Sequence, residues 1–327
     1  MKKKMTQMSG ANERFLNTDV ILSEVMRTME PDMVFMPLIP KVDSQGQPIK
    51  YGVKTSKSAD TKKQSPRIQT ASAKFPEVHL SRMTQEAALL NKEGFSIRLD
   101  EDSLNLPAGA DMIVDGLQTL GQWIAESVNT NMYSTLDDGS TDSGATLTDW
   151  GTIAEATPLT DLRAFKNAMK REGKPYRMTD IFVEMTNFNE LEEYLANSEY
   201  PAYRDAAING VATGASSTMT VPMEGKPLIH GLHSGVTHGD IMGLDGIHKN
   251  ASTLFFWNNP KYTRPTISYQ VANPSSPNGV ETKTVDNFGL SAHQFFDDEK
   301  HEHVIQVWVD YVVVVKDAYG IITENGI

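Results

Sequence analysis

The 327 residues carry 30 Lys and Arg against 42 Asp and Glu, a net charge of −12, and 39% of them are hydrophobic. That is enough apolar material for a packed core, which excludes global disorder, and at roughly 100–200 residues per domain the length suggests two domains, or one with insertions. Cysteine is absent, which excludes disulfides, zinc–thiolate sites, iron–sulfur clusters and cysteine nucleophiles together.

No apolar run approaches the ~20 residues that cross a bilayer. The basic start Met1-Lys-Lys-Lys-Met5 is followed by polar residues 6–12 where a signal peptide would turn apolar, so neither an export signal nor a membrane anchor is expected. Residues 1–37 read as a short arm. Within it, Asn17–Met29 has helical spacing through Val20, Leu22, Val25 and Met26, and Pro31 stops it. Met8, Met26, Met33 and Met36 are candidates for packing on another element. Leu38–Val42 reads as a strand entry. Residues 43–68 are polar, with Gly46, Pro48, Gly52 and Pro66, and read as a long loop. Residues 69–80 regain strand character, and Gly94–Leu99 alternates as a half-buried strand does.

The strongest helix signal is Ala110–Leu136, with Ile113, Leu117, Leu120, Ile124, Val128 and Met132 on one stripe. Trp123 lies off that stripe and suggests a second packed face. Residues 137–144 read as a loop. Thr160–Glu172 is expected to be a helix capped by Thr160, with Leu162, Phe165 and Met169 inward and Gly173 just past its end. Ile181–Met185 reads as a buried strand, and Thr186 as the cap of a helix through Phe188, Leu191 and Leu195. Residues 199–225, rich in Gly, Ser and Thr, read as a loop. Short strands are expected at Lys226–Ile229, Ile241–Leu244, Leu254–Trp257 and Thr266–Val271, with a turn over 273–279. The last strand, Val304–Lys316, places Ile305, Val307, Val309, Tyr311, Val313 and Val315 on one face and Gln306, Trp308 and Asp310 on the other. Neither an internal repeat nor a coiled-coil heptad is visible.

Charge is unevenly spread. Residues 41–82 hold nine basic and three acidic side chains, a net of +6, whereas residues 83–327 hold 16 basic and 34 acidic, a net of −18. A basic strip on an acidic body suits nucleic acid or the acidic face of another copy of the chain. Only Tyr51 and Phe75 stand among the basic residues, without a nucleic-acid motif, and a solvated lysine-rich loop is the third reading.

Searches for chemistry are mostly negative. GxxxxGK[ST], GxGxxG after a strand, GxSxG and HExxH are all absent, which removes the main support for P-loop, Rossmann, α/β-hydrolase and zincin activities. His230, His233 and His238 form one loose group. His301 and His303, following Asp297, Asp298 and Glu299, form another. Imidazole and carboxylate can build a metal site, but both groups read better as loop or strand-edge histidines.

The order of elements is itself a pattern: arm, basic loop flanked by strands, one long helix, a mixed α/β region, strand–turn–strand, and a long strand into Ala318-Tyr-Gly-Ile-Ile322. This order resembles the Hong Kong 97-type fold of major capsid proteins from tailed viruses. Phe95–Asp102 looks like the return strand of the family's extended loop, and Ala110–Leu136 like its spine helix. Ile181–Phe188 with Leu191 is similar to the axial-domain strand and capped helix. Gly225–Ile229 and Gly239–Asp245 resemble paired segments late in that domain, and Val309–Ile322 the C-terminal pattern. The likeness covers most of residues 20–327.

The resemblance implies an α+β fold. It divides the chain into an N-terminal arm (1–37), an extended β-hairpin loop (38–83) and a peripheral domain with the spine helix (84–150). An axial domain (151–252), peripheral β-strands (253–311) and a return to the axial domain (312–327) follow. It implies a non-catalytic subunit, without cofactor or metal, that self-assembles through hexamers and pentamers into the icosahedral shell of a virion in the host cytoplasm. The shell would enclose double-stranded DNA without reading its sequence. Scaffold, portal and decoration proteins are candidate partners, and no membrane is implied. With only about 40 residues before the loop, a separate scaffold protein, or none, is expected. Lys54, Lys57, Lys62, Lys63 and Arg67 are the expected intersubunit docking residues, and Ile113, Leu117, Leu120, Ile124 and Val128 the core face of the spine helix. Some relatives cross-link a loop lysine to an asparagine, here Asn273 or Asn278, but the buried carboxylate that reaction needs has no candidate, so cross-linking is not expected. An encapsulin-like nanocompartment shell is the alternative with the same fold. A metal-dependent hydrolase or a tail or adhesion protein are alternatives of other classes.

Overall fold

The structure, a computed structural model, describes residues 17–44, 48–53, 84–100, 102, 109–151, 157–171, 176–213, 216–233, 235–236, 239–246, 251–276, 279–325 and 327. Helix α1 (Thr18–Asp32) starts where the Asn17 side chain accepts the Asp19 backbone N–H at 2.9 Å, satisfying one of the donors a helix start leaves open. Its buried face is Ile21, Leu22, Val25, Met26 and Met29; Val20, expected in that stripe, is only half-buried. At the other end, Asn129 Nδ2 donates to the Asp32 carbonyl at 2.6 Å and Asn129 Oδ1 accepts from the Val34 N–H at 3.3 Å. A buried amide on a neighbouring helix thus satisfies the end that Pro31 leaves irregular. Beyond it, Met33, Phe35 and Met36 are buried in the same core.

That neighbour is α2 (Gly109–Asp138), about 45 Å long at 1.5 Å per residue. Ile113, Leu117, Leu120, Ile124, Val128 and Met132 are all at most 2% exposed and pack with the buried face of α1 in one core. The two backbones meet at Gly121, where a Cβ would stand 2.9 Å from the Val25 carbonyl oxygen and 3.0 Å from Thr28 Cβ. Only glycine fits so close an approach. Gly121→Leu is therefore expected to push α1 off α2 and cost about 1–3 kcal/mol through overpacking. A thermal melt should show a lowered but still cooperative transition, and an unchanged melting temperature would contradict the close approach.

Two main sheets flank this helix pair. The first has the order β1 (Lys41–Asp43), β11 (Ser252–Phe256), β15 (Glu302–Val315), β14 (Leu290–Asp297), and β4 (Asn91–Asp100) also pairs with β15. β15 is the girder: β4 runs antiparallel to it from Asn91↔Tyr311 to Asp100↔Glu302, β14 from Leu290↔Val309 to Asp297↔Glu302, and β11 from Phe256↔Tyr311 to Ser252↔Val315. Both faces of β15 are buried over much of its length. Ile305, Val307, Val309, Tyr311 and Val313 join the α1–α2 core, and Val312 and Val314 a smaller cluster with Ile49 and Phe255. Trp308 and Asp310, on the face opposite that apolar row, are 7% and 8% exposed, and the indole N–H donates to Asp310 Oδ2 at 2.9 Å.

Residues 43–68 are not wholly a loop. β2 (Ile49–Val53) pairs antiparallel with β3 (Thr84–Ala88), from Ile49↔Ala88 to Val53↔Thr84. Ile49, Tyr51 and Val53 alternate with Lys50 and Gly52, and the buried Ile49 reaches the first sheet. Residues 69–80 lie outside the described residues. A further two-stranded sheet, β12 (Thr266–Ala272) with β13 (Val280–Asp286), lays Ile267 and Tyr269 on the α1 core.

The second main sheet has seven strands in the order β5 (Thr141–Asp142), β16 (Ile321–Asn325), β10 (Asp240–Leu244), β6 (Asp180–Glu184), β9 (Leu228–Leu232), β8 (Ser216–Thr220), β7 (Val211–Thr213). Strand alternation sends Phe182, Leu232, Met242, Leu244 and Ile321 into the α1–α2 core and Ile181, Val183, Ile229, Ile241 and Ile322 into a second core. That second core is roofed by α3 (Pro158–Arg171), α4 (Met185–Ala196) and α5 (Pro201–Ile208).

Three local expectations are corrected here. α3 starts two residues before Thr160, where the Thr157 carbonyl accepts from the Thr160 and Asp161 N–H groups. α4 is capped by Glu184, whose carboxylate accepts the Thr186 N–H at 2.7 Å; the carboxylate of the strand's last residue outreaches the threonine. And the stretch 199–225 folds into α5, β7 and β8, because Pro201 opens a helix and β8 pairs with β9.

Candidate functional site

The candidate surfaces are those where large apolar side chains remain in water, because contiguous exposed apolar area marks interaction sites. One lies where β4 crosses the outer face of α2. Trp123 is 51% and Phe95 39% exposed, their rings 5.6 Å apart, and they line a shallow concavity of about 530 Å³ with Glu126, Ser127, Thr130 and Asn131. Trp123 was expected to mark a second packed face; its ring meets that of Phe95, yet half of the side chain stays exposed. Glu93 fixes the geometry beneath, accepting from Ser127 Oγ at 2.9 Å, Asn131 Nδ2 at 2.5 Å and the Tyr311 hydroxyl at 2.9 Å. Burial, then the Glu93 charge and hydrogen bond, push the Tyr311 hydroxyl well above the usual phenol range, so it stays a donor.

A second and deeper concavity, about 830 Å³, opens on the α3, α4 and α5 side. Its floor is Trp150, whose indole N–H donates to the buried Asp161 carboxylate at 3.1 Å. Asp161 also accepts from the Thr148 N–H at 3.1 Å and the Thr148 hydroxyl at 2.5 Å, so the carboxylate that begins α3 holds the preceding loop in place. Tyr194, Tyr200 and Tyr203 form one wall, and Glu190, Glu193 and Glu199 lie around the rim with Arg163. This hollow is missing from the sequence reading because its lining comes from four separate stretches, 150–151, 159–163, 190–194 and 197–203, which only the fold brings together.

The histidines divide. His230 is buried on β9, its Nε2 3.0 Å from Asp180 Oδ1 and its ring stacked on Phe182 at 4.8 Å; it joins two strands. His233 is exposed and His238 lies outside the described residues. His301 takes a left-handed φ of 54°, and the His303 ring lies 4.8 Å from that of Phe296. Among the described residues no group of three His, Asp or Glu side chains is placed to hold a metal. Asn273, one candidate cross-link acceptor, donates to Glu281 Oε2 at 2.7 Å and accepts from the Ser275 N–H at 2.9 Å; Asn278 lies outside the described residues. So do all five expected docking residues, Lys54, Lys57, Lys62, Lys63 and Arg67. The expected spine-face residues Ile113, Leu117, Leu120, Ile124 and Val128 stand together in the α1–α2 core.

One charged cluster ties α1 to the β12–β13 sheet. Glu30 on α1 accepts from Lys283 Nζ at 2.6 Å and from the Tyr269 hydroxyl at 2.5 Å. Partial burial works to raise the Glu30 carboxyl, but the hydrogen bonds from Lys283 and Tyr269 and the ammonium charge outweigh it, and its pKa falls below the usual value. A lowered folded-state pKa contributes stability that is present above the unfolded pKa of about 4.3 and is lost as pH falls through the folded value. Glu30→Gln is therefore expected to melt lower than the parent at pH 7, by an amount that half-exposure limits to about 1 kcal/mol. That difference should shrink in calorimetry as the pH falls below the unfolded value of about 4.3; a difference that grows on acidification would contradict the linkage.

No family model matches the sequence, and no curated protein matches it. Solved structures do. The virus-like particle from Pyrococcus furiosus is 10% identical, with a TM-score of 0.55 over 93% of this chain and 97% of its own. The holo-SrpI encapsulin complex from Synechococcus elongatus is 12% identical, with a TM-score of 0.54 over 98% of this chain and 96% of its own. The capsid of the native GTA particle is 9% identical, with a TM-score of 0.53 over 90% of each chain. At these identities the likeness is one of fold: the chain has the mixed α+β, Hong Kong 97-type capsid fold, as the order of its elements implied.

Proposed function

We propose that the chain is a major capsid protein, a non-catalytic subunit that assembles with copies of itself into the icosahedral shell of a tailed virus around double-stranded DNA. The observation that carries this reading is the extent of the likeness. Shell subunits match the chain over at least 90% of both lengths. The open aromatics Trp123, Phe95 and Tyr200 support it, since buried interfaces are rich in Trp, Tyr and Phe. In this reading α1 belongs to the N-terminal arm, the first sheet with α2 is the peripheral domain, α2 its spine, and the seven-stranded sheet with α3 to α5 the axial domain. Closed particles then arise from heterologous contacts that close on themselves. Portal and decoration proteins, with a separate scaffold protein or none, are candidate partners in the same reading, which places assembly in a host cytoplasm.

The encapsulin alternative is favoured by one observation, the match to an encapsulin at a TM-score equal, within 0.01, to that of the other two. Expression of the chain alone, followed by negative-stain electron microscopy, tests the shell reading; closed, uniform particles are expected, and a monodisperse monomer at all protein concentrations overturns it. Particles recovered from the native source separate the alternatives. Nuclease-protected double-stranded DNA is expected inside, and a defined protein cargo without DNA would favour the nanocompartment.

A further inference from the structure

The hollow beside α3, α4 and α5 combines rings and carboxylates in one concavity. It holds about 830 Å³, and the Trp150 indole at its floor is 2% exposed. Tyr200 at its mouth is 68% exposed and stands edge-on to Tyr203 at 6.0 Å, with 88° between the rings, so the two form a corner; Tyr194 adds a third ring to the lining. Aromatic faces carry negative potential and attract ammonium groups. α4 sends Glu190 and Glu193 to the same lining, and Glu199 joins them from the turn between α4 and α5. Gly151 lines the hollow too, and a Cβ there would stand 2.9 Å from Glu190 Oε1; the missing side chain leaves that carboxylate room. Among the described residues of the lining, three carboxylates face one guanidinium, Arg163, a net of two negative charges.

The class of ligand follows from how this charge is spread. Among the described residues no three His, Asp or Glu side chains are placed to hold a metal, so these carboxylates do not converge on one small ion. Glu193 and Glu199 make no ion pair with a described residue. Both are exposed, and an exposed carboxylate holds a lone ammonium only weakly. Several ammonium groups joined by methylenes fit better. Each carboxylate then takes one ammonium, and the apolar stem lies along the rings, as the stem of a lysine lies along apolar surface. A single quaternary ammonium would use the rings but leave the second carboxylate unmatched. We infer that the hollow is a binding site for a linear aliphatic polyamine, with Glu193 and Glu199 on its ammonium groups and Tyr200 and Tyr203 along its stem. The inference does not rest on the shell reading, since the hollow is formed within one chain. Each chain carries a net charge of −12, so a bound polycation also lowers the repulsion between copies.

Equilibrium dialysis of the full recombinant chain, freed of nucleic acid, against radiolabelled spermidine tests the site. An ionic strength of about 0.15 M screens charges more than ~8 Å apart, which suppresses diffuse binding to the acidic surface. Saturable binding of one spermidine per chain is expected. The double variant Glu193→Gln, Glu199→Gln should weaken it about tenfold, within the range for two exposed ion pairs. Tyr200→Ala, which alters no charge, should weaken it about two- to fivefold, the loss of an exposed cation–π contact. The control is Asp298→Asn with Glu299→Gln, which removes two exposed carboxylates just beyond β14 and should bind as the parent does. Absent or unsaturable binding, an equal loss in the control and the Glu193, Glu199 variant, or full affinity in Tyr200→Ala overturns the assignment. So does displacement of spermidine by an equimolar amount of Mg²⁺, which would make the carboxylates a metal site. Particle formation has no part in the readout, so the shell reading stands or falls separately.

Discussion

Leu120→Asp is expected to yield no folded protein. Leu120 is 2% exposed and packs in the core that α1, α2 and both main sheets share. Removing a buried leucine costs about 2–5 kcal/mol, and an unpaired carboxylate in its place adds several more. The sum is comparable with the ~5–15 kcal/mol that holds a typical domain together. Leu120→Ala is the control: folded, with a lowered melting temperature. Circular dichroism and the soluble fraction after expression measure both. A soluble Leu120→Asp chain with a cooperative melt would mean that this face of α2 is not a core.

The second large effect concerns assembly. Reversing Lys54, Lys57, Lys62 and Lys63 to Glu turns the +6 strip of residues 41–82 net negative, facing an acidic body. Residues 43–68 hold few apolar side chains to bury, so the monomer should fold and melt as the parent does while particle formation is abolished. Exposed ion pairs contribute only about 0–1 kcal/mol each, so the lysines act mainly through steering and register. High salt should accordingly slow assembly of the parent, since screening shortens to ~3 Å at about 1 M. A nucleic-acid-binding role makes the opposite prediction: the quadruple variant still forms shells, but they are empty. Electron microscopy of the variant distinguishes the two, and intact empty shells would sink the docking role.

The parts of the fold that were legible in the sequence are those where one physical signal dominates. The α2 stripe from Ile113 to Met132 is long enough for periodicity to settle the element, and β15 alternates over most of its length. The miscalled parts have competing signals. β13, Val280–Asp286, is exposed at nearly every position, so burial leaves no pattern in it, and it exists because β12 beside it is anchored on α1. α5 is short and polar, and its neighbours β7 and β8 owe their strand form to β9. The seven-stranded sheet was visible only as isolated apolar runs, since its order depends on partners far apart in the chain. The candidate surfaces follow the same division. Trp123 was noticed because it breaks the helical stripe, whereas the hollow beneath α5 is assembled from three helices and a loop, which local spacing cannot reveal.

The place of β16 has a consequence for biosynthesis. It stands between β5 and β10, pairing Ile322 with Thr141 and Leu244 with Ile321, and it is translated after both of them. Until residues 321–325 clear the ribosome, β10 presents an unpaired edge carrying Ile241 and Met242, and β5 has nothing to join. Open apolar edges recruit other strands, and ribosomes translate only about 5–20 residues per second. Several nascent copies on one message would therefore hold the same unfinished edge side by side for some time. The seven-stranded sheet is complete only once residues 321–325 are in place between β5 and β10, and a holdase that covers the β10 edge is expected to raise the yield of folded chains.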